Sequence, residues 1–242
     1  MSGHSKWAKT HRQKAVTDAK RGAIFTKLGN LIVIAAKEGG GDTESNFKLR
    51  LAIEKAKSSN MPKDNIDRAI KKGAGIGDGK NIIEEAVYEI FGPASSTFIL
   101  ETVTDNKNRT LSDVKMALNK NGGQMGATGS VAWMYKHKGI ITINPTTTTD
   151  HDQLELDIID AGAQDIIKND DAWEIYTLPD ELQATEKKLK SKNLQIIESN
   201  LGYIAKDELN ITDSETQDKI DRLFTTLDEL DDASNVYTNA NW

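Results

Sequence analysis

The sequence predicts an α+β protein: an N-terminal three-helix bundle followed by two α/β domains of the ferredoxin-like, split-βαβ type, the second inserted in the first. Three observations carry this expectation. Apolar residues recur at helical spacing as far as Gly73, the period changes to two beyond a glycine-rich stretch at residues 73–80, and a complete βαββαβ order can be read from Gly139 onward. With 242 residues and 37% apolar content, the chain can bury more than one core. The expected divisions are a basic arm at 1–22, a helical bundle at 23–78, a middle α/β domain from 79–137 plus 210–242, and an inserted domain at 138–209.

Each element has a local reason. Residues 2–21 hold too few large apolar side chains to pack, and are expected to form a mobile arm. Ile24, Phe25, Leu28, Leu31, Ile32, Ala35 and Ala36 make one helical face, which Gly39-Gly40-Gly41 stops. Leu49, Ala52, Ile53 and Ala56 make a second helix over 46–58, and Pro62 opens a third that ends at Gly73. The glycine-rich stretch reads as a linker. Strands follow at 83–91 and 97–104, then a helix starting at Thr110 in a capping-box-like pattern with Asp113, then a strand at 130–135. Next come strand 140–143, helix 151–161, strands 164–168 and 173–177, helix 179–192 and strand 195–205. A last helix on Ile220, Leu223, Phe224 and Leu227 and a short strand near Val236-Tyr237 are too little to fold alone, so they complete the sheet opened before the insertion.

Charge is segregated along the chain. Residues 1–72 carry 16 Lys+Arg against 7 Asp+Glu, whereas residues 141–242 carry 8 against 23. A cationic front and an anionic rear point to a polyanion bound at the front, and nucleic acid is the commonest polyanion a cell offers. The absence of cysteine excludes disulfides, thiolate catalysis and Cys-containing zinc fingers. No apolar run approaches the roughly 20 residues that span a bilayer, and no apolar h-region follows Met1, so no membrane association is expected and the expected location is the cytoplasm.

Enzymatic templates fail when tested. The phosphate-loop pattern needs Gly where Ala74 stands and Ser or Thr where Asn81 stands, and the dinucleotide pattern meets Asp78 in place of its third glycine. No nucleophile, base and orienting group fall into a recognisable pattern, and His137 and His151 lack metal-ligand spacing. Neither a catalytic residue, a metal, a cofactor nor a small-molecule substrate is therefore expected. The acidic run Asp228, Glu229, Asp231 and Asp232 reads first as a solvated helix end, with a hard-cation or partner contact as the alternative.

The candidate nucleic-acid contacts are cations with polar and aromatic company. His4, Ser5, Lys6, Trp7, Lys9, His11, Arg12, Lys14, Lys20, Arg21 and Lys27 form the leading group, in which stacking on Trp7 would add roughly 1 to 3 kcal/mol. Six neutralised phosphates would give a salt slope of about −4 to −5. Lys63, Arg68, Lys71 and Lys72 on the third helix form a second group, although Asp64 and Asp67 share the segment. Lys107 and Arg109, in the polar loop before the middle-domain helix, form a third; Asp105 and Asn108 are expected to cap backbone amides there.

The chain carries blocks of sequence, some of them holding these residues, that resemble the YebC/PmpR family, which includes the mitochondrial translational activator of cytochrome oxidase subunit one. The blocks are Gly3-His4-Ser5-Lys6-Trp7, Asp18-Ala19-Lys20-Arg21-Gly22, Phe25-Thr26-Lys27-Leu28, Asn60-Met61-Pro62-Lys63-Asp64-Asn65-Ile66, Thr104-Asp105-Asn106, Asn108-Arg109-Thr110, Gly122-Gly123, Gly129-Ser130-Val131-Ala132-Trp133, Leu230-Asp231-Asp232 and Asn235-Val236-Tyr237. The resemblance implies three domains, no catalytic activity, and a role as a DNA-binding transcriptional regulator or as a translation factor that binds ribosomal RNA on the ribosome. It departs at Ile90-Phe91-Gly92-Pro93-Ala94-Ser95, where the family carries a turn richer in glycine.

Overall fold

The computed structural model describes residues 18–75, 83–145, 150–169 and 172–242. They form two compact units, one spanning Tyr135–Lys206, the other taking the described residues before it together with Asp207–Trp242.

Three helices open the larger unit: α1 (Asp18–Gly39), α2 (Phe47–Ser58) and α3 (Lys63–Gly73). Residues 18–22, assigned by sequence to the arm, are helical and belong to α1. Residues 2–17 lie outside the described residues. Asn46 explains both the end of α1 and the start of α2. Its side-chain oxygen accepts the Leu49 amide at 3.0 Å, while its side-chain nitrogen donates to the Ala35 and Gly40 carbonyls, each at 2.7 Å. Ile32, Leu49, Ala56, Ile66 and Ala69 fill the space between the helices, and each large side chain so buried contributes about 1.5 to 3 kcal/mol. Gly73 is more than a linker residue: a Cβ there would lie 2.3 Å from the Val33 carbonyl oxygen, so α3 can cross α1 this closely only without a side chain at that point. Residues 76–82 of the expected linker lie outside the described residues.

A four-stranded antiparallel sheet follows, built from β1 (Glu84–Phe91), β2 (Thr97–Thr104), β3 (Gln124–Met125) and, returning from the far end of the chain, β9 (Ala233–Thr238), in the order β3-β1-β2-β9. Helices α4 (Lys107–Asn121) and α7 (Ser214–Asp228) cover one face, packing Val114, Leu118, Leu223 and Leu227 on Ile90, Phe98 and Leu100. On the other face Val103 joins the core of the helices. A parallel pair, β8 (Leu209–Asn210) with β10 (Ala240–Asn241), finishes this unit.

Two local expectations are corrected here. Thr110 does not open α4: Asn106 caps it by accepting the amides of Asn108 and Arg109 at 3.2 Å, and the Thr110 hydroxyl turns instead to Asp232 at 2.6 Å. Residues 130–134 are not a strand. They form a turn and one 3-10 helical turn, Ala132–Met134, because the Glu89 carboxylate gathers the amides of Gly129, Val131 and Ala132 at 2.5, 2.5 and 2.7 Å.

The turn between β1 and β2 has a left-handed backbone at Ala94 (φ 53°) and Ser95 (φ 64°). An L residue in that conformation costs about 1 kcal/mol or more, part of which is returned by its lower unfolded-state entropy. The double variant Ala94→Gly/Ser95→Gly is expected to be about 1 kcal/mol more stable, read as a rise in the urea midpoint at unchanged m.

In the second unit, β4 (Tyr135–Ile143), α5 (His151–Ala161), β5 (Asp165–Lys168), β6 (Trp173–Thr177), α6 (Leu182–Ser191) and β7 (Ile196–Ala205) follow in the order βαββαβ, and the antiparallel sheet runs β5-β6-β4-β7. Helix α6 starts three residues later than the sequence suggests. Ile141, Ile158, Ile175, Leu182 and Leu189 are buried.

Candidate nucleic-acid interface

Of the leading cationic group, His4, Ser5, Lys6, Trp7, Lys9, His11, Arg12 and Lys14 lie outside the described residues, and Lys20 and Arg21 fall on the backbone of α1. Lys27 has another task. Its Nζ donates to the Asp228 carbonyl at 2.7 Å, an orphan acceptor at the C-terminus of α7, and so ties the helices to the sheet. Lys55 reaches Asn235 Oδ1 at 3.4 Å and Lys48 pairs with Glu85 at 3.1 Å across the same junction.

On α3, Ile66 and Ala69 face the core while Lys63, Arg68, Lys71 and Lys72 are exposed. Arg68 Nε donates to the Asp64 carbonyl at 3.2 Å, and its guanidinium also binds the Asn65 side chain. Lys71 and Lys72 lie in the last turn, where the helix dipole favours cations. The helix thus offers four solvent-facing cations, diluted by Asp64 and Asp67.

The third group is engaged. Lys107 Nζ pairs with Glu84 at 2.7 Å, both side chains about half exposed, and such pairs are worth at most about 1 kcal/mol, so a phosphate can compete for it. Arg109 is held more firmly, between Asp105 at 2.9 Å and Asp232 at 3.3 Å, and the hydrogen bonds to Asp105 and then Asp232 raise its pKa further. Asp232 also accepts the hydroxyls of Thr104 (3.1 Å) and Thr110 (2.6 Å) and is 12% exposed. It is a largely buried organiser of this loop, which corrects its reading as one of a solvated run. Asp105 binds Arg109 instead of a backbone amide, and Asn106, not Asn108, caps the helix.

These residues border a cleft of about 550 Å³ lined by Thr26 and Asn30 of α1, Lys72 of α3, and Asp105, Arg109, Asp231 and Asp232. Its charges nearly balance, so it is not a phosphate-selective pocket by electrostatics alone. Among the described residues no group of three or more His, Asp or Glu could hold a metal ion, and no helix is long and apolar enough to cross a membrane.

Sequence reasoning did not single out Glu89 as a site residue, and it met Trp133 only within a family block. Trp133 is 65% exposed, and Glu89 is 7% exposed beneath the turn that carries it.

A helical region followed by β-sheet units, with cations exposed on its third helix, makes this an α+β protein. The chain belongs to the TACO1/YebC family: the model of that family's N-terminal domain matches residues 5–76, and the model of its second and third domains matches residues 83–240. FN1661 of Fusobacterium nucleatum is 46% identical over 239 residues, covering 99% of this chain and 95% of its own. YrbC of Bacillus subtilis is 45% identical over 240 residues, covering 99% of both. Each is described as a probable transcriptional regulatory protein. The crystal structure of Aq1575 from Aquifex aeolicus, a conserved hypothetical protein, superimposes with a TM-score of 0.88 at 38% identity, covering 98% of this chain and 97% of that one.

Proposed function

We propose that this protein is a non-enzymatic regulator of gene expression that binds nucleic acid through its basic N-terminal arm and the exposed cations of α3. The observation that carries the reading is the charge segregation: 16 Lys+Arg against 7 Asp+Glu in residues 1–72, with the acidic excess confined to the rear. The description of the relatives as transcriptional regulators favours DNA as the target. In this reading residues 135–206 are a split-βαβ domain inserted in the middle domain, and the acidic rear faces away from the polyanion.

Cross-linking in cells followed by sequencing of the attached nucleic acid tests it, with gradient sedimentation alongside. Enrichment of promoter DNA is the expected result. Enrichment of ribosomal RNA with co-sedimentation on ribosomes would move the protein to translation, and the absence of any attached nucleic acid would end the reading.

A further inference from the structure

Helix α4 carries four Lys+Arg against one Asp, the opposite balance to its neighbour α7, which carries two against four Asp+Glu. Its inner face is committed, with Thr110, Val114, Ala117 and Leu118 buried. Along its outer face Asn108, Ser112, Met116 and Asn119 follow one another at helical spacing and form a single stripe, and all four are exposed. Met116, in the middle of the stripe, is 66% exposed. Lys115 borders the stripe on one side and Lys120 on the other, both exposed.

The side-chain chemistry selects the occupant. The outer face of an amphipathic helix is charged or polar, and here its centre is polar without charge. Two amides, a hydroxyl and a thioether suit the edges of bases: Asn pairs with adenine N6 and N7, Ser bonds either donors or acceptors, and an apolar group meets the thymine methyl. Cations on both borders suit the two phosphate strands that wall a groove. A lone Met lacks the contiguous apolar surround that a protein-docking hot spot needs.

The neighbouring elements fit the same occupant. The Asn121 side-chain amide donates to the Thr226 hydroxyl at 3.2 Å, which fixes the side that α7 turns to α4. Arg222, one turn before Thr226 on that side, is exposed, so a phosphate strand lying along Lys120 would meet a second cation. At the other end, Arg109 in the first turn of α4 shares a cleft with Ala23 and Thr26 of α1. The basic arm therefore joins the chain close to the start of α4.

We infer that α4 is a base-reading helix that enters the major groove of duplex DNA, with Asn108, Ser112, Met116 and Asn119 toward base edges and Lys115 and Lys120 toward phosphates. This rests on the nucleic-acid reading above and narrows it: the major groove of B-DNA, about 12 Å wide, admits an α-helix, whereas the deep, narrow major groove of A-form RNA does not. The arm supplies affinity without sequence, and α4 supplies sequence preference.

The test uses the full-length chain and a library of randomised DNA duplexes, from which the preferred sequence is selected and compared with a scrambled duplex over a salt series. The parent is expected to enrich a defined sequence. Asn108→Ala/Asn119→Ala should cut the preference for the selected over the scrambled duplex by about five- to a hundredfold, with scrambled-duplex affinity and salt slope unchanged. Lys115→Gln/Lys120→Gln should weaken both duplexes alike and make the slope about 2 units shallower. Met116→Glu sets a negative charge against the DNA and should weaken the selected duplex by about tenfold or more. Its thermal midpoint should match the parent's, because the side chain is exposed, and midpoints of all variants report folding. An RNA duplex of the selected sequence should bind no better than a scrambled RNA duplex.

Salt-dependent duplex binding with no enriched sequence would overturn the base-reading helix and leave the arm reading standing. So would full preference retained by a folded Asn108→Ala/Asn119→Ala variant, or parent-like binding by Met116→Glu. Equal preference on the RNA duplex would overturn the major-groove placement. Salt-insensitive or undetectable binding of every duplex by the parent would overturn the arm reading and the reading helix together.

Discussion

Changing Lys6, Arg12, Lys14, Lys20 and Arg21 together to Gln is expected to weaken nucleic-acid binding by two to three orders of magnitude near physiological salt. If each contacts one phosphate, each releases somewhat less than one counterion, so the salt slope should become about 4 units shallower. The two readouts move together only if the lost contacts are to phosphate. A protein-interaction scaffold would keep its partner after the same changes, and would keep it at high salt. Two single variants serve as controls because the structure assigns their charges elsewhere. Lys27→Gln removes the donor to the Asp228 carbonyl, and Arg109→Gln frees Asp105 and Asp232. Both should lower the urea midpoint and leave the slope within error of the parent. A parent-like slope in the quintuple variant would remove the arm from the interface.

The helices were legible in the sequence for a simple reason. Their apolar residues recur on one face, and the signals that bound them, Gly39-Gly40-Gly41, Asn46 and Pro62, act on the backbone within a few positions. The order β4-α5-β5-β6-α6-β7 was legible on the same grounds. What escaped depends on partners distant in sequence. Val131, Trp133 and Tyr135 recur at every second position as large side chains on one face of a strand would, but Glu89, 40 or more positions earlier, takes the amides that a strand would have paired. Thr110 with Asp113 looked like a helix start, yet Asp232, 122 positions away, claims the Thr110 hydroxyl and leaves the cap to Asn106. The same distance effect governs the candidate site. Lys27, Lys107 and Arg109 look like available cations in the sequence, whereas the fold gives them the Asp228 carbonyl, Glu84 and Asp232. The exposed face of α3 was legible because amphipathicity alone determines it.

Glu89 should be a highly sensitive polar position in the larger unit. Burial pushes its carboxyl pKa up, but the amides of Gly129, Val131 and Ala132 together outweigh that and hold it below the usual glutamate range. Replacing it by Ala strands three donors that now end on a charge, and hydrogen bonds to charged groups are worth about 1.5 to 3 kcal/mol each without being additive. A loss of about 3 kcal/mol or more is expected, a fall of roughly 6 to 12 °C in Tm for a chain of this size. Glu89→Gln keeps the shape and loses the charge, so it should fall between. The pH dependence follows from the direction of the shift. A depressed carboxyl pKa stabilises the fold fully above the unfolded-state value, and that contribution disappears as pH falls through the folded-state value. The stability gap between parent and Glu89→Gln should therefore be constant from neutral pH down to roughly pH 5 and close progressively below roughly pH 4. Amide exchange at Gly129, Val131 and Ala132 should quicken in the variant at neutral pH while the helical core keeps its protection. Exchange at those three amides indistinguishable from the parent would show that the turn holds itself and that the carboxylate is incidental to it.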